Sequence, residues 1–266
     1  MFEKYKVDNL QALIVNYLTA AGCSYFFLEQ DFSLNHVLNS EWLYHAMIIG
    51  TLFIIVFNFY AFGTQKVGIA VTTVANKMSL IIPVCAALIL YPENNTFDAL
   101  KGIAFFLALA GIYLSSTKGG KLSFDKKYLW LIILVFVGQG ISDSIFNDFA
   151  QKFPNEGGYL FFMILFFMAS ISGILILIGK SINTKNKLQL KSIFWGVIFG
   201  VPNFFSLLFF LKALGSMSSS EVFPLVSMGV VVSSSLIGLL LFKEKLTKSN
   251  WIGILLSICA IYIFSF

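Results

Sequence analysis

Nine long apolar stretches alternate with short polar segments along this chain, at 11–28, 43–63, 68–91, 99–116, 128–150, 158–179, 191–213, 219–242 and 250–265. Most charged residues fall between them. A helix needs about 20 mostly apolar residues to cross a hydrocarbon core of roughly 30 Å. The stretches are continuous rather than alternating, which predicts helices and not the strands of a barrel. The expected fold is therefore an all-α integral membrane protein with nine transmembrane helices.

Composition agrees with that pattern. Hydrophobic residues make up 58% of the chain and charged residues 12%, against roughly 45–50% and 25% in soluble domains. The outer face of such a bundle meets lipid bilayer. The net charge of +5 comes from 18 Lys and 13 acids, with no Arg. This basic balance does not point to nucleic acid, because the Lys sit beside spans, where they set topology. Without Arg there is no bidentate clamp for phosphate, which disfavours a heavily phosphorylated solute.

The Lys are unevenly divided between the two sides. Segments 1–10, 64–67, 117–127, 180–190 and 243–249, with Lys191 at a loop edge, hold fourteen. The opposite side holds Lys101, Lys152 and Lys212, and Lys77 lies inside a span. The positive-inside rule puts residue 1 and the Lys-rich linker 118–127 in the cytoplasm, and the C-terminus outside the cell membrane (plasma or inner).

Other features change the picture little. The first apolar run continues through Ala20-Ala21-Gly22-Cys23 into Tyr25-Phe26-Phe27, as a span does and a cleaved signal need not. Cys23, Cys85 and Cys259 lie in apolar stretches without Cys or His partners at metal-ligand spacing, so they read as packing residues, with no metal or cofactor implied. Trp42, Trp130, Trp195 and Trp251 lie near span ends, where amphipathic aromatics meet the interface.

The chain also resembles itself. Shifted by 151 residues, Tyr91-Pro92-Glu93 falls on Phe242-Lys243-Glu244, Thr96 on Thr247, and Gly102-Ile103 on Gly253-Ile254. With small drifts, Gly111-Ile112-Tyr113 matches Ala260-Ile261-Tyr262, and Tyr60-Ala61-Phe62-Gly63 matches Lys212-Ala213-Leu214-Gly215. Five spans separate the two glutamate loops, an odd number, so the repeats face opposite ways, a recurrent transporter plan. The expected organisation is a first repeat over 1–117 with four spans, the linker 118–127, and a second repeat over 128–266 with five. Met1-Phe2-Glu3-Lys4-Tyr5 resembles Asp148–Phe153, the tail of the fifth span, so the first repeat is expected to lack its first helix.

Ala213-Leu214-Gly215-Ser216 entering a span, Pro83 within the third span, the post-span Glu93 and Glu244, and Gly102 and Gly253 opening the last span of each half resemble the EamA-like branch of the drug/metabolite transporter superfamily. The likeness runs from 11 to 266. It implies a ten-helix plan, here with one helix missing, that moves small metabolites, sugars, nucleotide sugars, amino acids or drugs by alternating access. It also implies both termini of the ten-helix plan in the cytoplasm, which the Lys count reverses for residue 1.

Ionisable groups inside a membrane are costly and are functional candidates by default. Asp143 lies well inside the fifth span, with Gln139 and Ser142 at helical spacing on one flank. A carboxyl group in a low-dielectric cavity could load and release a proton; the bland alternative is an acid anchoring a helix end beside Asn147 and Asp148. Lys77, about 15 Å along the third span, follows Asn76 and is too deep to snorkel easily. It could bind an anionic group, face a polar cavity or pair with Asp143. Ser220, Ser227 and Ser234 form a stripe that could line a path or simply pack closely. Asn203 after Pro202, Asn58 and Asn16 are further candidates. Glu221 reads as a helix cap, and His36 and His45 carry no assignment.

The expectation is a secondary transporter that exports a small metabolite or drug by alternating access, either coupled to protons at Asp143 or moving the solute down its gradient. The pathway residues would be Lys77, Asp143, Gln139, Ser142, Asn76, Asn203 and Ser227. The alternative is a non-transporting membrane scaffold or partner subunit, indifferent to neutralising Lys77 and Asp143. A homodimer fits either. No zinc motif, nucleophile elbow or phosphate loop suggests an enzyme or direct ATP use.

Overall fold

The computed structural model describes residues 7–28, 32–95, 97–116, 126–154, 158–181, 189–241 and 247–264. Most of the linker 118–127, the N-terminal segment 1–6, Thr96 and Glu244 lie outside them. The α-helices are α1 (Asn9–Phe26), α2 (Leu34–Leu38), α3 (Leu43–Lys66), α4 (Ile69–Met78), α5 (Ile81–Leu90), α6 (Ala99–Ser116), α7 (Leu129–Lys152), α8 (Gly158–Ser181), α9 (Leu190–Leu214), α10 (Ser219–Leu241) and α11 (Lys248–Phe264).

Among the described residues each of the nine apolar stretches is largely helical, and there is no strand. Among the described residues, six segments are long and apolar enough to cross a membrane: Leu43–Lys66, Val71–Leu90, Leu129–Lys152, Gly158–Lys180, Leu190–Leu214 and Ser219–Ile237. The other three expected spans are coarser matches. Ala99–Ser115 and Lys248–Phe264 are shorter apolar helices. α1 carries Asn9, Gln11 and Asn16 among its 18 residues, and its buried polar groups turn to other helices rather than to lipid.

The chain divides into two compact units, 1–58 with 148–215 and 59–147 with 216–266. The boundaries fall inside α3 and α7, and each unit draws on both halves of the chain.

In the first unit, α1 packs on α8 and α9. Asp8 caps α1, its carboxylate accepting from the Gln11 amide at 2.9 Å, as short acidic side chains do at helix starts. The Asp8 amide donates to Ser192 Oγ, and Gln11 Oε1 accepts from the Gln189 amide, so the start of α1 is tied to the start of α9. Gly196 and Gly200 of α9 face the Ala12 and Asn16 carbonyls of α1. Lipid is as apolar as leucine, so close backbone approach of this kind replaces the hydrophobic effect between membrane helices. Trp42, read as an interfacial residue, is fully buried and edge-on to Phe161 of α8.

In the second unit, α6 and α11 pack through glycines. A Cβ on Gly253 would lie 2.8 Å from the Gly111 carbonyl oxygen and as near to the backbone of Leu114. The Asn250 side-chain amide donates to the Leu114 and Ser115 carbonyls at 3.1 and 2.9 Å, satisfying groups that a helix C-terminus leaves open. Gly253→Ala is expected to destabilise the protein by roughly 1–3 kcal/mol, the usual cost of overpacking, because the atoms it would meet are backbone. A thermal melt of the detergent-solubilised variant checks this, with a midpoint several degrees below wild type.

Candidate functional site

The third apolar stretch is broken, and the break has a chemical cause. Pro83 lacks an amide hydrogen, so the Ser79 carbonyl has no i+4 donor, and the ring crowds that carbonyl. The chain tightens there. Ser79 and Leu80 take φ/ψ of −59°/−16° and −54°/−20°, close to 3₁₀ values. The Ser79 carbonyl accepts instead from the Ile82 amide at 2.9 Å. The Ser79 hydroxyl donates back to the Asn76 carbonyl at 2.6 Å. The stretch therefore consists of α4 and α5 joined at Ser79–Leu80.

Lys77 lies in the last turn of α4, where exposed carbonyls favour a cation. Gly140 of α7 faces Ile82 just past the break, and its missing side chain lets α7 approach. That approach sets Gln139 and Asp143 beside α4. The Asn76 amide donates to Gln139 Oε1 at 3.1 Å. The Gln139 amide donates to Asp143 Oδ1 at 2.9 Å. Lys77 and Asp143 lie within electrostatic reach of each other without a direct ion pair. All four side chains are half-buried. One face thus holds an amine, a carboxyl group and a two-amide bridge that orients the carboxyl group.

The family model described as "EamA-like transporter family" matches residues 126–266. An uncharacterized protein of Haemophilus influenzae is 31% identical over 260 residues, covering 95% of this chain and 87% of that protein. The chain belongs to the EamA-like transporter family. That family is part of the drug/metabolite transporter superfamily, and its members are transporters rather than enzymes. A solved crystal structure of another protein shares the fold, with a TM-score of 0.72 at 16% identity over 96% of this chain and 85% of the other.

In this EamA-family protein the remaining expected pathway residues are placed as follows. Ser142 is buried, and its hydroxyl has no hydrogen-bond partner. Ser227 is half-buried on α10. Asn203 belongs to the first unit, where its amide donates to Asn16 Oδ1 at 2.7 Å. Asn58 is occupied with the Ile54 carbonyl of its own helix.

Two charged groupings escaped the sequence reading. His45 Nε2 lies 2.8 Å from Asp148 Oδ2, which also takes Lys152 Nζ at 3.0 Å. The Asp148–Lys152 spacing of four residues was visible, but His45 comes from 103 residues away. Glu221 lies in the first turn of α10. Its carboxylate meets Lys101 Nζ of α6 at 2.5 Å, and no sequence signal linked the two.

Proposed function

We propose that this protein is a secondary transporter of the plasma or inner membrane, exporting a small metabolite or drug by alternating access with proton coupling. The observation that carries this reading is the polar cluster at the broken helix. Discontinuous helices in transporters bring charged and backbone groups to the solute at mid-depth. Here the break leaves Lys77 at the end of α4, opposite Asp143. In the proposed cycle, Lys77 attracts a negative group on the solute. Asp143 takes up a proton from one side, and its charge state biases which side is open. The Asn76–Gln139 bridge holds the carboxylate in place while its charge changes. The division of each unit between both halves of the chain supports two repeats, 1–117 and 128–266, inserted in opposite senses.

Metabolite profiling of the medium tests the proposal. Cells expressing wild type are compared with Asp143→Asn and Lys77→Ala at matched membrane levels. A compound that accumulates outside only with wild type is the expected result. Equal export by all three would show that the cluster does not carry transport and would favour a scaffold.

A further inference from the structure

We infer that Lys101 and Glu221 are the gating residues at one end of the Asp143 pathway, an inference that rests on the transport reading above. The polar cluster continues beyond Asp143. Asn147 follows one turn later on the same face of α7 and is buried. Its Oδ1 accepts from the Ser219 hydroxyl, at the start of α10. The Ser220 amide donates to Asn95 Oδ1 at 3.1 Å. Glu221 then reaches Lys101 of α6, each side chain 16% exposed. A track of polar side chains thus runs from Asn76 to a half-buried ion pair.

The first turn of α10 precedes a break in the helix hydrogen-bond ladder. Pro224 lies inside α10 and supplies no amide to the Ser220 carbonyl, so the ladder is interrupted one turn into the helix. Proline sites of this kind are the usual places where helices bend. That turn is held by the Asn147 and Asn95 hydrogen bonds, by the Glu221–Lys101 pair and by the burial of Val222 and Phe223. A half-buried ion pair resists opening while both charges stay desolvated. It can also separate when the turn swings out, because neither partner is fully enclosed by protein. With the pair closed, the first turn of α10 covers the Asn147 end of the track.

Side-resolved thiol labelling tests this. Cys23, Cys85 and Cys259 are replaced by alanine, and Ser227→Cys serves as reporter. Ser227 lies two turns past Ser220 on the same face of α10. A membrane-impermeant thiol reagent is added to intact cells and to inverted vesicles. Lys101→Gln and Glu221→Gln should each speed labelling roughly tenfold, the scale of a shifted minor state, from one side only. The charge-swapped Lys101→Glu/Glu221→Lys protein should label at the wild-type rate. Wild-type rates in both neutralised variants would overturn the inference. So would faster labelling from both sides, or a swapped protein as fast as the single variants, because either describes general loosening. Labelling needs no solute, so the two readings fail separately. One-sided acceleration in a chain that exports nothing would leave the gate and remove the transporter. Asp143-dependent export with unchanged labelling would do the reverse.

Discussion

Asp143→Asn is expected to flatten the pH profile of export. In wild type, the rate should rise as the outer medium is acidified, since protons entering through Asp143 drive the outward step. Asparagine keeps the shape of the side chain and an oxygen that can accept from the Gln139 amide, the bond that measures 2.9 Å in the native cluster. It cannot take up a proton. The variant should therefore fold and reach the membrane, with the loss confined to the coupling. Export in inverted vesicles under imposed pH gradients is the measurement. A wild-type pH profile in the asparagine variant would refute the proton role. Gln139→Leu offers a graded comparison: the carboxyl group remains but loses its oriented donor, so pH dependence should persist with an altered midpoint.

Lys77→Ala should act on binding rather than on coupling. A hydrogen bond to a charged group contributes about 1.5–3 kcal/mol, which corresponds to roughly a 10- to 100-fold change in affinity. The KM for a solute with an anionic group should rise by that factor, while export of an uncharged analogue changes far less. Kinetics on both solutes separate the two cases, and an equal fall for both would contradict anion recognition. Lys77 and Asp143 sense each other's charge, so their effects should not add. The double variant Lys77→Ala/Asp143→Asn is expected to be less impaired than the sum of the singles, the signature of directly interacting groups.

The residues of the polar cluster were legible in the sequence, and their contacts were not. Lys77 and Asp143 stood out because a charge in an apolar run is costly, and Gln139 stood out by its spacing to Asp143. The amide bridge from Asn76 was not legible, since it crosses between helices 63 residues apart. Pro83 was noticed as part of a family pattern. That it splits the helix beside Lys77 follows from the carbonyl it leaves without a donor. Asn203 and Ser227 looked equivalent to the cluster residues on polarity alone, yet Asn203 serves the α1–α9 packing. Trp42 looked like an interface anchor and is a core residue.

Hydropathy alone determined that this chain is a bundle of membrane helices, because an unsatisfied backbone cannot cross hydrocarbon and each long apolar run must close its own hydrogen bonds. The Lys asymmetry and the internal likeness set expectations for orientation and repeat. Pairing belonged to the tertiary structure. Which acid meets Lys101, which carbonyls Asn250 caps, and which carboxylate His45 finds all depend on helix faces brought together by glycine contacts and by the bend at Pro83. Those contacts are made between residues as far as 136 positions apart, and the periodicity of one segment carries no record of the face its partner presents.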